Sequence, residues 1–142
     1  MKSKEMISQM KVTLDSKTIQ SINIFQNLTG SSVIDCLEDE ELYFIIAKGE
    51  YGLAVGKNGA KIRNAERLFK KTIKIFEYSS ELEEFIKNMI PESQEIEIGN
   101  NNVVVRIRPN DKARVIGKGG KKVKVAGRFL ERLFEINNLR VK

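Results

Sequence analysis

The sequence predicts an α/β (α+β) protein in which one structural module occurs twice. The first observation is a repeated motif: a glycine, two residues, a second glycine and a basic run begin at Gly56 and again at Gly117, an offset of 61 residues. The second observation is that helical and strand patterns follow the same order around both motifs. A chain of 142 residues can hold two small modules, and we place them at residues 1–78, with a short N-terminal lead-in, and 79–142.

The first module is predicted to open with a helix behind an extended lead-in at residues 11–14. Asp15 or Ser16 can cap this helix, which runs to Thr29 and is ended by Gly30. Its inward-facing residues, at helical spacing, are Ile19, Ile22, Phe25 and Leu28.

Three strands and two further helices complete the first module. Apolar runs at residues 33–37 and 42–47 predict strands on either side of an acidic turn, and a helical turn ends at Val55. After the glycine motif we expect a helix at 60–70 and a strand at 72–76. The inward residues of that helix are predicted to be Ile62, Ala65, Leu68 and Phe69. Because a helical crossover joins the second and third strands, they should pair in parallel.

The second module begins with a helix and a hairpin. Ser80 and Glu83 have the spacing of a capping box for a helix that Pro91 ends. Residues 94–98 and 103–108 predict strands, because Gly99-Asn100-Asn101 between them is a hairpin signal.

The rest of the second module follows the order of the first. Asn110 or Asp111 can cap a short helix to Ile116, and the second glycine motif leads into another helix. Residues 138–141 predict the last strand. The inward residues of the long helix are Val123, Ala126, Phe129, Leu130, Leu133 and Phe134. Each module is therefore predicted to be a three-stranded mixed sheet packed against three helices.

The composition excludes several classes of function. The chain has no histidine, no tryptophan and one cysteine, so His-dependent catalysis, a zinc site and an internal disulfide are excluded. A buried apolar role is expected for Cys36. We expect no enzyme activity, no metal and no cofactor. No apolar run approaches a membrane span and no signal peptide is recognisable at the N-terminus, so we expect a cytoplasmic protein without a membrane partner.

The positive charge is concentrated around the two motifs. Residues 56–74 carry a net charge of +6 and residues 112–132 carry +7, so the remaining residues total −7 in a chain whose net charge is +6. This distribution is typical of a protein that binds a polyanion.

The glycine motifs have the chemistry of a phosphate-binding turn. Glycines allow the backbone of a ligand to come close, and the following helix directs free N–H groups and its positive dipole end towards the loop. Lysines add charge, and flanking apolar residues can line a groove for bases. The candidate contacts in the first module are Val55, Gly56, Lys57, Asn58, Gly59, Lys61, Ile62 and Arg63. Those in the second are Arg114, Ile116, Gly117, Lys118, Gly119, Gly120, Lys121, Lys122, Val123 and Lys124.

These residues also allow other interpretations. A single motif could be only a helix–helix turn, but two basic copies in the same context argue against that. Residues 52–58 do not match the nucleotide-binding P-loop motif. Three residues instead of four separate the two glycines, and no Ser or Thr stands where one would bind magnesium. The acidic run at 38–41 is read as a solvated turn rather than a cation site. Arg106 and Arg108 could extend a nucleic-acid track or simply face solvent, and the sequence leaves both open.

The two loops, Gly56-Lys57-Asn58-Gly59 and Gly117-Lys118-Gly119-Gly120, resemble those of the KH domain. In that family a Gly-x-x-Gly loop clamps about four nucleotides of single-stranded nucleic acid. The helix–strand–strand lead before each loop is the order of the type II form. The resemblance covers residues 15–142 and implies two tandem type II KH domains. Only residues 78–80 separate them, which predicts a fixed mutual orientation and one continuous RNA track.

Two adjoining type II KH modules in a short chain are similar to the archaeal NusA-like transcription factors. The residues at 11–14 (Lys-Val-Thr-Leu) and 27–30 (Asn-Leu-Thr-Gly) are similar to that family as well. The resemblance implies a monomer that binds single-stranded RNA in transcription elongation, termination or antitermination, with RNA polymerase or the transcription complex as a further partner. The alternatives are a KH protein of ribosome assembly or translation, and a protein-interaction scaffold that binds no RNA.

Overall fold

The computed structural model describes residues 16–142. The lead-in expected at residues 11–14 and a cap at Asp15 therefore lie outside the described residues. The chain divides into two compact units, Met1–Ser80 and Glu81–Lys142. Each unit is mixed α+β and contains one three-stranded sheet. None of the helices in the described part of the chain is long and apolar enough to cross a membrane.

The first unit contains three α-helices and three strands in its described part. In chain order they are α1 (Ser16–Thr29), β1 (Val33–Glu38), β2 (Leu42–Ile46), α2 (Tyr51–Val55), α3 (Ala60–Phe69) and β3 (Ile73–Glu77). The sheet order is β1-β2-β3. A short turn joins β1 to β2, which pair antiparallel, whereas α2 and α3 carry the chain back so that β3 runs parallel to β2.

The second unit repeats this topology. Its elements are α4 (Leu82–Met89), β4 (Glu95–Gly99), β5 (Asn102–Arg106), α5 (Pro109–Ile116), α6 (Lys121–Phe134) and β6 (Asn138–Val141). Strands β4 and β5 form the predicted hairpin, and β6 pairs in parallel with β5. The mixed sheets predicted from the helical crossovers are confirmed in both units.

The core of the first unit lies between its sheet and its helices. The rings of Phe25 on α1 and Phe44 on β2 stack with centroids 4.1 Å apart. Phe69 on α3 belongs to the same cluster, and its ring centroid lies 6.3 Å from that of Phe44. Cys36 is buried in this core, as its apolar surroundings predicted.

The core of the second unit has the same plan. Val103 and Val105 of β5 are fully buried, as are Phe85 of α4 and Phe129 of α6. Phe134 contacts Phe85, with ring centroids 5.3 Å apart. The apolar face predicted for the last helix is therefore used for packing in this unit.

Two residues predicted to face inward are exposed. Ile19 on α1 is 45% exposed and Leu68 on α3 is 58% exposed. The buried stripe of α1 is instead Ser21, Phe25 and Thr29, in which two small polar residues take inward positions. Leu68 lies about 60° beyond Ala65 around the helix axis, which puts it outside the stripe that contacts the sheet.

Both predicted side-chain caps in the second unit are wrong. Helix α4 begins after Glu81 with no capping side-chain hydrogen bond, so Ser80 and Glu83 form no capping box. Helix α5 begins at Pro109, ahead of the predicted caps Asn110 and Asp111. Proline suits the first helical position because its φ is already helical and the N–H it lacks would have no helical acceptor there.

Candidate nucleic-acid interface

The first glycine loop is a single tight turn between α2 and α3. Gly56 ends α2 with φ 82° and ψ 169°, and residues Lys57–Gly59 form one turn of 3-10 helix. Within it Asn58 and Gly59 have left-handed φ values of 56° and 76°. The Gly59 N–H donates a hydrogen bond of 3.0 Å to the Gly56 carbonyl oxygen, which closes the turn.

The second loop, between α5 and α6, has the same backbone conformation. Gly117 has φ 81° and ψ 167°, and Gly119 and Gly120 have φ values of 65° and 77°. The Gly120 N–H donates to the Gly117 carbonyl oxygen at 3.0 Å. The repeat in the sequence therefore corresponds to one turn geometry that occurs twice.

The first glycine of each loop is required by space as well as by backbone angle. A Cβ at Gly56 would lie 2.8 Å from the Lys61 backbone nitrogen, and one at Gly117 would lie 2.9 Å from that of Lys122. Any larger residue would push the loop away from the start of the next helix. These glycines hold the loop against the N-terminus of α3 or α6.

The middle positions of both loops face solvent. Lys57 and Asn58 in the first loop and Lys118 and Gly119 in the second are exposed. Among residues 16–142, neither lysine forms an ion pair. Each loop thus presents an ammonium group beside a helix N-terminus, an arrangement that favours an anion.

The apolar residues beside the loops are half-buried. Val55 and Ile62 pack against the core of the first unit. Ile116 and Val123 are likewise half-buried in the second. Part of each side chain stays accessible next to its loop, as a surface for bases requires.

Lys61 is bound to the protein itself. Its Nζ donates a hydrogen bond of 2.9 Å to the carbonyl oxygen of Thr29, at the C-terminus of α1. The Thr29 hydroxyl in turn donates to the Phe25 carbonyl oxygen at 2.8 Å and is hydrogen-bonded to the Ser31 hydroxyl at 2.7 Å. A cation at a helix C-terminus is favourable. Lys61 therefore ties α3 to α1, a role that its sequence position did not reveal.

The lysines at the start of α6 are arranged differently. Lys122, which corresponds to Lys61 in the repeat, is exposed, and no hydrogen bond or ion pair joins it to any residue that the structure describes. Lys124 is exposed as well, and Lys121 is half-buried.

Arg63 is hydrogen-bonded to the first loop. Its Nη1 donates a hydrogen bond of 2.6 Å to the carbonyl oxygen of Asn58. Because the rest of this side chain is exposed, the guanidinium lies at the edge of the loop with donors still facing solvent.

Arg114, a candidate contact on α5, is held by two carboxylates. It lies 2.9 Å from Asp111 Oδ1 through Nη2 and 3.4 Å from Glu92 Oε2 through Nε. These hydrogen bonds, to Asp111 first and then Glu92, raise the pKa of its guanidinium. A phosphate at this position would have to share Arg114 with them.

The two arginines whose role the sequence left open also contact carboxylates. Arg106 Nε lies 3.4 Å from both Glu95 and Glu97, and Arg108 lies 3.6 Å from Asp111. These contacts favour a role in surface ion pairs for both.

Carboxylates of the acidic turn form contacts within the protein. Glu38 pairs with Lys71 at 2.5 Å, and the Tyr43 hydroxyl donates to Glu41 at 3.0 Å. Burial, with the neighbouring carboxylates, raises the pKa of the Tyr43 phenol. Within residues 16–142, no group of three or more Cys, Asp or Glu side chains could hold a metal ion.

Comparison with known proteins gives the family. Residues 80–142 match the KH domain family. The chain is 35% identical over 139 residues to a protein of Methanococcus vannielii named probable transcription termination protein NusA, covering 93% of this chain and 80% of the relative. A protein of the same name in Methanocaldococcus jannaschii is 33% identical, and the match covers 92% of this chain and 75% of that relative. Another in Thermoplasma acidophilum is 29% identical, and the match covers 93% of this chain and 96% of that relative.

A solved structure has the same fold. The crystal structure of APE1850 is similar to this chain with a TM-score of 0.75 and 31% sequence identity, and the match covers 91% of this chain and 100% of that one.

Proposed function

This chain belongs to the archaeal NusA-like family, and on that premise we propose that it binds single-stranded RNA through two tandem type II KH domains, at residues 1–78 and 79–142. One observation supports the proposal above others. The two Gly-x-x-Gly loops share a backbone conformation, and each presents an exposed lysine, Lys57 or Lys118, at the start of a helix.

Each loop would bind RNA by its backbone first. No side chain caps the N-terminus of α3 or α6. The first N–H of each helix donates to its own loop, from Ala60 to the Lys57 carbonyl oxygen and from Lys121 to that of Lys118, so the N–H groups that would meet an RNA phosphate are those that follow in the first turn. Lys57 and Lys118 add charge from within the loops, and Lys122 adds it from the first turn of α6. The half-buried apolar residues beside the loops would contact the bases. Binding of this kind orders a nucleic acid and needs no catalytic group.

The transcription role rests on the relatives, whose name is that of a termination protein. We place this chain in elongation, termination or antitermination, as a monomer that acts in the cytoplasm on the transcript with the transcription complex. Co-purification with RNA polymerase rather than with ribosomal particles would separate this role from ribosome assembly.

Replacing the exposed middle residues of each loop tests the RNA contact. The variants are Lys57→Asp with Asn58→Asp, and Lys118→Asp with Gly119→Asp. Asn58 and Gly119 have φ values of 56° and 65°, which aspartate tolerates, so the fold should survive. A matched control is Asn100→Asp with Asn101→Asp, because Asn101 is an exposed turn residue with φ 61° outside both loops.

The expected result, measured by fluorescence anisotropy with unstructured RNA, is weaker binding for each loop variant and loss of binding for the two combined. The control should bind like the unmodified chain. Survival of binding in the combined variant, with the fold intact by circular dichroism, would overturn the proposal. A scaffold that binds no RNA would show no binding even before substitution.

A further inference from the structure

Three exposed cations lie along α3 and at its C-terminal end. Arg63 and Arg67 are four residues apart, so their side chains leave the same side of the helix. Lys70 is the residue that follows the last turn, with φ 58°. Together with Glu66, Lys71 and Thr72 these three cations line a shallow hollow of about 470 Å³. This stripe begins one turn after the first glycine loop and extends about 10 Å along the helix axis.

The neighbouring charges in the hollow are already engaged. The Glu66 carboxylate accepts a hydrogen bond of 2.9 Å from the Ile73 N–H, which directs it towards the start of β3. Lys71 pairs with Glu38 at 2.5 Å and donates to the Asp39 carbonyl oxygen at 2.6 Å. The three cations of the stripe form no ion pair with any residue between 16 and 142. The hollow therefore keeps a net positive charge, because its lining contains four cations and the carboxylate of Glu66.

The stripe is continuous with the first loop. Arg63, its first member, donates a hydrogen bond to the carbonyl oxygen of Asn58 inside the loop. Arginines four residues apart on a helix repel each other slightly, so the spacing of Arg63 and Arg67 does not serve the stability of the helix. An anion bound between them would remove that repulsion.

We infer that this stripe is a second RNA-backbone contact, on which the nucleotides flanking those held by the first loop lie. The inference rests on the proposed RNA binding by the loops and adds Arg67 and Lys70 to the interface. A stripe of about 10 Å matches roughly two to three phosphate groups of one strand. The shared chemistry is contact with phosphate, so this surface adds affinity and length dependence rather than sequence preference.

The second unit offers a built-in comparison. At the corresponding positions α6 has Lys124, Arg128 and Glu131, so the third cation is replaced by an exposed carboxylate. With Glu66 and the corresponding Gly127 counted, the net charge of that face falls from +2 to +1. We expect flanking RNA to use the face of α3 and not that of α6.

RNA length separates this contact from the loop contact. The experiment measures affinity and its salt dependence for an unstructured RNA of four nucleotides and for one of twelve, with Arg67→Gln and Lys70→Gln combined. The short RNA should bind the variant and the unmodified chain equally. For the long RNA we expect roughly tenfold weaker binding at low salt, and a slope of log K against log salt that is smaller by about 1.4, or about 0.7 for each lost phosphate contact.

The matched control is Arg128→Gln, which removes the cation at the position that corresponds to Arg67. It should leave both the affinity and the salt slope for the long RNA unchanged. Thermal melting of all variants verifies that the fold is kept.

Each other outcome contradicts the inference. An unchanged slope for the long RNA in the double variant would show that the stripe touches no phosphate and would leave an acidic protein as its occupant. Equal losses for short and long RNA would mean that Arg67 and Lys70 act only through the loop. If the unmodified chain bound neither RNA, the proposed function itself would be wrong and this inference would fall with it.

Discussion

The two glycine loops have the same backbone and different surroundings. In the first, Lys61 is bound to the end of α1 and Arg63 to the loop carbonyl of Asn58. In the second, the corresponding Lys122 and Lys124 are exposed. The two loops therefore share the turn but differ in the number of cations that are free to meet a ligand. The second loop should supply more of the electrostatic part of binding.

The first described helix of each unit ends in a different contact. Helix α1 has 14 residues and ends at Thr29, whose carbonyl oxygen receives Lys61. Helix α4 has 8 residues and ends at Met89, and the N–H of the following residue, Ile90, donates to the Ile86 carbonyl oxygen. The Lys61 hydrogen bond thus joins the base of the first loop to the end of α1, and Lys122 has no such bond to any residue that the structure describes.

The largest expected effect is common to both loops and tests their shared backbone. Gly56→Ala and Gly117→Ala should each destabilise the chain by about 2 kcal/mol, from positive-φ strain and from a Cβ forced against the next helix. Urea unfolding checks the stability, and RNA binding by the altered loop should fall with it. A large loss at one loop and none at the other would contradict the shared geometry.

Gly119→Asn is the control for this comparison. No atom lies within 4 Å of a Cβ at Gly119, and Asn58 has the same left-handed conformation at the corresponding position. The substitution should therefore leave stability unchanged.

A medium effect separates the two corresponding lysines. Lys61→Met should destabilise the chain by about 1 kcal/mol, since the Thr29 carbonyl loses a charged donor, and should leave the salt slope of RNA binding unchanged. Lys122→Met should leave stability unchanged and reduce that slope by about 0.7, the value for one phosphate contact on a single strand. Thermal melting and binding at several salt concentrations measure the two quantities. The reverse pattern would assign the structural role to Lys122.

The smallest expected effect is a loss of stability at alkaline pH through the ionisation of a buried tyrosine. It concerns only the first unit, because residues 81–142 contain no tyrosine. Burial raises the pKa of the Tyr43 phenol above its unfolded value of about 10. A group whose pKa is higher in the folded state stabilises the fold fully at pH values below its unfolded pKa. This stabilisation is lost as the pH rises towards the pKa of the folded state.

The unfolding free energy should therefore fall between about pH 9 and about pH 11, and part of that fall should disappear in Tyr43→Phe. Urea unfolding at the two pH values measures it. An identical fall in both proteins would show that Tyr43 does not contribute.

Local patterns predicted most of the fold correctly. The Gly99-Asn100-Asn101 turn and the helical crossovers determined the strand pairing, because both depend on residues close in sequence. The buried faces of α1 and α3 were predicted less accurately. Ile19 and Leu68 have the right chemistry for the core but lie off the stripe that the sheet contacts, and Ser21 and Thr29 take inward places on α1.

The candidate site was predicted as a list of residues, without their connections. The two loops and their exposed lysines lie where the motif indicates. The hydrogen bond from Lys61 to Thr29 spans 32 residues, and the carboxylates that hold Arg114 come partly from Glu92, 22 residues away. Contacts at such separations depend on how the helices meet, and no local pattern contains that information.

Amide chemical shifts in a titration with unstructured RNA test the central claim most directly. We predict that the backbone amides of Lys57–Gly59 and Lys118–Gly120, with the first turns of α3 and α6, shift on addition of RNA. The amides of the β4–β5 turn at Asn100 and Asn101 should stay in place. RNA binding that shifts other amides and leaves both loops unchanged would contradict the account.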